Sequence, residues 1–368
     1  MFNERQNLCL LISTLGLATP IKQFQLLNLF GAPQELWANI ESGSKRIKAL
    51  IGENNYTRLR YSMREDFCGD LLYDLKKNNI TPVTYYCDTY PALLKNIYDP
   101  PLTLFCMGNT QLLNSRCISV VGTRKMSAYG KKATQYFVSQ LAKYYTVVSG
   151  LAYGVDTCAH EATLAAGGKT IAVLGSGLLN IYPASNAGLA ENIVCGGGLI
   201  VSEYQSRTQP NQYNFPMRNR IISGLSEGVL ITEAPQKSGV MSTYEYAAEQ
   251  GRDVYVVPGE IFDFNYKGSN FLLKENRNAF VTSPTDIIEE DVRLQREVKR
   301  VEIQLDIEEQ SVVDLLEQGR MGFDDIARGT NLKASQLNYC LATLELKGII
   351  LKMPGNIYSL IDLEEQTL

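Results

Sequence analysis

With 368 residues the chain exceeds the usual single-domain size, so two or three domains are expected. Its 45% hydrophobic and 20% charged residues suit a soluble globular protein, and no stretch nears the ~18–20 apolar residues that cross a bilayer. A net charge of −4 excludes a surface that coats polyanions in general, so any nucleic-acid site must be a local basic pocket.

In chain order, residues 1–80 read as helical. Leu8, Leu11, Ile12 and Leu15 recur at helical spacing, and Leu26, Leu27, Leu29 and Phe30 start a second apolar face that Gly31 and Pro33 end. The N-terminal MFNERQNLCLLIS has an acidic residue and no small-residue cleavage site, so it does not read as a signal peptide and a cytoplasmic location is expected. Leu15-Gly16-Leu17-Ala18-Thr19-Pro20 offers one glycine where a DNA-gripping helical hairpin wants several. Packing or protein contact is the expected role of this zone.

Residues 81–292 alternate short apolar runs with helix-length segments. Strands are predicted at Ile118–Gly122, Thr146–Ser149, Thr170–Leu174, Leu199–Ser202, Gly228–Thr232 and Asp253–Val257. Helices are predicted at Tyr129–Tyr145, Asp156–Ala166, Ser185–Cys195 and Ser242–Gln250. Such alternation predicts an α/β fold with a doubly wound sheet, which binds ligands in the loops at the carboxyl ends of its strands. The charged run DVRLQREVKRVEIQ places a linker at 293–304. Residues 305–368 read as a winged helix, with helices at Gln310–Gln318, Gly322–Arg328 and Ala334–Lys347 and a wing around Pro354-Gly355. Its third helix carries Glu345 and only Lys333 and Lys347 near its ends, a poor match to duplex DNA, so an accessory or protein-contact role is expected.

The eight cysteines include no C-x-x-C pair, and His160 is the single histidine, so reduced thiols and no metal site are expected. Nothing pairs a nucleophile with a base, and no cofactor is expected. Asp156 and Glu233 stand at strand ends and read as caps or loop anchors rather than catalytic bases.

The strand-end loops carry the chemistry. In the first, Gly122 turns the chain, Thr123, Arg124 and Lys125 follow, and the N–H groups of the next helix start can meet a phosphate. Seven residues separate Gly122 from Gly130, which is not Walker spacing, so ATP hydrolysis is not supported. Ser149-Gly150-Leu151-Ala152-Tyr153-Gly154 forms the second loop. The third, opening with Gly175-Ser176-Gly177, has Asn180 where a dinucleotide loop needs its third glycine. Phe215-Pro216-Met217-Arg218-Asn219-Arg220 would aim two guanidinium forks at the same face, and Ser238-Gly239, Pro258-Gly259 and Gly268-Ser269-Asn270 complete the set.

VVGTRKMSAYG, SGLAYGVD, GGKTIAVLGSG followed by YP, SEY, FPMRNRIISGLS, EA…SG and VVPG occur in the order of the DprA/Smf family, which the chain resembles over about 210 residues. Tyr90-Pro91 and Pro101-Leu102…Gly108-Asn109 resemble that family's entry into the fold. The resemblance implies a Rossmann-like domain that binds single-stranded DNA and forms a homodimer. It also implies a preceding small helical domain of the SAM or helix-hairpin-helix kind, and delivery of the recombinase RecA to DNA in natural transformation or homologous recombination. By matching position, Arg124 and Arg218-Asn219-Arg220 would hold phosphates, and Gly122, Gly150, Gly175 and Gly177 would let the strand approach. Thr123, Lys125, Ser149, Gly154, Ser238, Gly239 and Asn270 would complete the site. The chain departs from the family at Thr123, at Ala184 and Gln212, where some relatives carry a base, and after Asn270, where the usual Gly-Ala ending is missing.

Two other readings compete. A phosphoribohydrolase acting on nucleoside monophosphates would use Arg218 with Glu245, but Gln236–Met241 lacks the glycine-rich phosphate loop of such enzymes. A duplex-binding regulator would act through the winged helix alone.

Overall fold

A computed structural model describes residues 8, 11–12, 20–288, 305–317, 319–347, 349–353 and 355–360. The glycine hairpin candidate before Pro20, the linker expected at 293–304 and Pro354 of the wing lie outside the described residues. The chain divides into two compact units, Met1–Arg293 and Leu294–Leu368.

The first unit is built on an eight-stranded sheet: β1 (Thr81–Thr84), β2 (Thr103–Gly108), β3 (Cys117–Gly122), β4 (Thr146–Ser149), β5 (Thr170–Leu174), β6 (Leu199–Ser202), β7 (Gly228–Glu233) and β8 (Asp253–Val256). Their spatial order is β1-β2-β6-β5-β4-β3-β7-β8. Strands β3 to β8 run parallel, as their near-continuous Val, Ile and Leu content predicts for strands covered on both faces. Along β3 successive side chains enter opposite cores. Cys117 and Val121 pack with Ile171, Val173 and Ile231, whereas Ile118 and Val120 pack with Phe137, Val147 and Leu230.

Two strands were not expected from sequence. β1 and β2 join antiparallel at the β6 edge. Pro82 breaks the strand signal of β1, and an edge position tolerates it because the missing N–H faces no partner.

The N-terminal helices Pro20–Asn28, Pro33–Ser42, Lys45–Ile51 and Glu53–Ser62 enclose Leu26, Leu36, Ile40, Ile47 and Leu59 together with Leu102, next to β2. Ile12, Leu75 and Ile80 share a core with Phe105, Ala172 and Leu174 of the sheet. This helical layer therefore belongs to the same compact unit as the sheet.

In the second unit, helices Ile307–Leu316, Phe323–Thr330 and Ala334–Leu346 surround Val312, Ile326, Leu337, Leu341 and Leu344. A three-stranded sheet ordered β10-β11-β9 supplies the wing, from β9 (Met321–Gly322), β10 (Ile350–Met353) and β11 (Ile357–Leu360). This is the expected winged helix. No described helix is long and apolar enough to cross a membrane.

Candidate nucleic-acid interface

After β3 the chain proceeds to β4 on one side, and after β7 it proceeds to β8 on the other. The carboxyl ends of β3 and β7 therefore diverge and leave a crevice, the usual ligand seat of such sheets. A cavity of about 650 Å³ lies there. The β3 loop contributes Thr123, Arg124 and Lys125, the β7 loop Lys237, Ser238 and Gly239, and the helix Asn214–Gly224 contributes Phe215, Arg218 and Asn219. Arg124, Lys125 and Lys237 are exposed. Cations from two different loops, with no carboxylate ion pair among the described residues, suit a phosphate chain.

The helix Ala128–Leu141 does not offer its N-terminus as expected. The carboxylate of Glu233, at the end of β7, accepts the Ser127 N–H at 3.0 and 3.1 Å and the Ser127 hydroxyl at 2.9 Å. Ser127 in turn caps the Gly130 N–H at 3.0 Å. A side chain at Gly130 would collide with the Glu233 carboxylate, which explains the second glycine of this loop. An internal anion thus occupies the dipole end, and the phosphate-gripping capacity of the loop rests on Arg124 and Lys125.

Arg218 is buried at the rim of the cavity. Its Nη1 donates to the Gly150 carbonyl at 2.6 Å and to the Val173 carbonyl. Burial pulls its pKa down to about 10, while the buried carboxylate of Asp156 opposes the fall. Burial raises the Asp156 carboxyl, and Arg218 and the Gly150 and Ala152 N–H groups work against that. Gly150 is the berth for this cation, since a Cβ there would lie 2.5 Å from the guanidinium. At Gly122, Gly154, Gly175 and Gly177 a Cβ would strike Val155, Thr123, Phe215 and Gln205, so these glycines let the loops pack on one another. Ser149 is buried and donates to the Val120 carbonyl at 2.7 Å.

Arg220, an expected phosphate ligand, and Asn270, expected in the site, do not line the cavity. Arg220 is fully buried, with Nη1 and Nη2 on the Glu203 carboxylate at 2.9 and 2.7 Å and Nε on Asp99 at 3.0 Å. It ties the helix Asn214–Gly224 to β6 and to the approach of β2. Asn270 clamps the loop after β8, accepting from the Gly259 N–H and donating to its carbonyl. Asn219 lines the cavity and donates to Ser242 Oγ at 2.9 Å, which holds the helix Asn214–Gly224 against the helix Val240–Glu249.

The structure adds an aromatic wall. Phe215 lies 5.3 Å from Tyr182, centroid to centroid at 40°, and the Arg124 guanidinium sits 5.7 Å over the Phe215 ring. Lys237 completes the cationic side, and the Ser238 hydroxyl is buried with no hydrogen-bond partner among the described residues. Phe215 and Tyr182 stand inside the motifs FPMRNRIISGLS and YP, but their ring contact joins a helix start to a loop 33 residues earlier, which no local pattern shows. His160 is buried and does not line the cavity, with Nδ1 2.7 Å from Thr170 Oγ1; burial first, and the Arg218 charge second, lower its pKa to about 3. No group of three or more His, Cys, Asp or Glu side chains among the described residues could hold a metal.

Residues 81–291, more than half of the chain, match the family profile "DNA recombination-mediator protein A", and residues 298–356 match "DprA winged helix domain". DNA processing protein DprA of Bacillus subtilis (strain 168) is 41% identical over 217 residues, spanning 58% of this chain and 72% of that protein. The X-ray structure of DNA processing protein A from Streptococcus pneumoniae aligns with a TM-score of 0.64 at 34% identity, covering 79% of this chain and 99% of that one. A structure on the single-stranded DNA binding mode of DNA processing protein A from Helicobacter pylori aligns with a TM-score of 0.52 at 29% identity, covering 60% and 96%. A parallel sheet with a β3–β7 crevice, a winged helix and matches of this extent place the chain in the DNA recombination-mediator protein A (DprA/Smf) family of DNA-processing proteins.

Proposed function

We propose that the chain binds and protects single-stranded DNA in the β3–β7 crevice and delivers a RecA-type recombinase to it, in the cytoplasm, during recombination or uptake of DNA. The observation that carries this reading is the convergence of Arg124, Lys125 and Lys237, from the β3 and β7 loops, on one cavity that Phe215 and Tyr182 also line. Cations grip a backbone that exposes its bases, and flat rings receive those bases whatever their sequence. The Helicobacter pylori relative, described as binding single-stranded DNA, supports the choice of ligand. The proposed contact set is Thr123, Arg124, Lys125, Phe215, Asn219, Lys237, Ser238 and Gly239, with Arg218 as a buried support and Arg220 outside it.

The site acts by binding, without turnover. Glu245, the acid a phosphoribohydrolase would need, is exposed and does not line the cavity, and Asp156 and Glu233 anchor loops. Exposed Phe271 and Phe280, beside the edge strand β8 that Phe280 bridges through Val256, supply the apolar surface of a homodimer. Fluorescence anisotropy of labelled oligo-dT and of its duplex tests the function. Tight, salt-sensitive preference for the single strand is expected; equal affinity for duplex, or release of free base from AMP or CMP that Glu245→Ala abolishes, overturns it.

A further inference from the structure

We propose that Tyr153 and Tyr182 extend the site beyond the cavity as a platform on which the bases of the bound strand stack. The proposal rests on the single-strand reading above and adds a segment of the footprint that uses no charge. Tyr182 closes one wall of the cavity, against Phe215. Tyr153 belongs to the neighbouring loop and stands between two residues fixed to the same cavity. Ala152 lines it, and Gly154 abuts Thr123 and Arg124. The two rings remain 49% and 44% exposed. Single exposed rings are ordinary on protein surfaces, but here two stand on loops that meet through the Ser185–Tyr153 contact beside one cationic cavity.

The loops are held for this. Leu151, just before Ala152 and Tyr153, is buried at φ +57°, a left-handed conformation unfavourable for leucine that the surrounding packing must hold. Asn186 Nδ2, in the β5 loop, donates to the Leu151 carbonyl and to Thr157 Oγ1, both at 2.9 Å. The Ser185 hydroxyl lies 3.3 Å from the Tyr153 hydroxyl. Tyr153 and Tyr182 therefore sit on loops pinned to each other, and stacking orders no further backbone. Rigid rings beside the cations let the strand leave the phosphate grip and lay its next bases on a flat surface.

Because the platform is uncharged, its contribution separates from that of the cavity. The full chain is titrated with oligo-dT, and with a strand of equal length whose bases are replaced by abasic spacers, across a salt series. Wild type should bind oligo-dT about tenfold or more tightly than the abasic strand. Tyr153→Ala should lose about tenfold on oligo-dT, keep its abasic affinity and keep its salt slope. Tyr153→Phe, which keeps the ring and loses only the Ser185 contact, should restore binding. Tyr153→Ala binding oligo-dT as wild type does, or losing affinity equally on both strands, overturns the platform and leaves the cavity reading intact. Failure of wild type to bind either strand overturns both.

Discussion

The division of the arginines into free and internally paired ones can be tested by counting phosphates. Arg124, Lys125 and Lys237 line the cavity with no ion-paired carboxylate among the described residues, whereas Arg220 is neutralised by Glu203 and Asp99. Each phosphate contact on a single strand adds about 0.7 to the slope of log affinity against log salt. These cations together should contribute a slope of about −2, or a loss of roughly 20-fold between 50 and 200 mM salt. Arg124→Ala should therefore reduce affinity at low salt and flatten the slope by about 0.7, which shrinks that loss about 2.6-fold. Arg220→Met should leave the slope unchanged while lowering stability, because it strands two partly buried carboxylates against a buried helix face; removing one partner of a buried pair costs up to about 3–5 kcal/mol. The assay is anisotropy on oligo-dT across a salt series, with urea denaturation of the same variants. A slope flattened by Arg220→Met, or untouched by Arg124→Ala, would refute the assignment.

Phe215→Ala should weaken oligo-dT binding about tenfold with the salt slope preserved, since it removes a stacking surface and no charge; a flattened slope in anisotropy would contradict this. Gly150→Ala should destabilise the first unit by about 3 kcal/mol in urea, because the methyl group displaces the Arg218 guanidinium from its buried berth; a midpoint equal to wild type would count against that packing. His160 has a folded pKa of about 3, below its ordinary 6.5, so the folded state gains no proton where the unfolded chain does. Its contribution to stability is complete above pH 6.5 and is lost as pH falls toward 3, amounting to about 2 kcal/mol at pH 5 relative to pH 7.5. His160→Gln should remove that increment from the acid limb of the urea-derived stability curve, and an unchanged limb would show that His160 is accessible to protons in the folded state.

What the sequence by itself determined is the part governed by local pattern. Runs such as CISVVG, TIAVL and LIVS are apolar on both faces, so they had to become interior strands of a parallel sheet, and glycine-bearing loops had to follow them. The ordered motifs from VVGTRKMSAYG to VVPG were enough to place the family. Leu337, Leu341 and Leu344 recur on one helical face and identified the core of the winged helix.

Tertiary structure decided the fate of each charge. Arg124 and Arg220 are equally cationic in sequence, yet Asp99 and Glu203 take Arg220 out of reach of a ligand, and they lie 121 and 17 residues away from it. Glu233 closes a helix start 106 residues earlier in the chain, so a loop that resembled a phosphate cradle became a platform for two side-chain cations. The aromatic wall and the pinned Tyr153 loop likewise exist only once β4, β5 and the helix Asn214–Gly224 converge. β1 and β2 escaped notice for the same reason: Pro82 is acceptable in a strand only when the fold makes that strand an edge. A charge or a ring acquires its function from its partners, and partners distant in the chain are chosen by packing rather than by neighbouring residues.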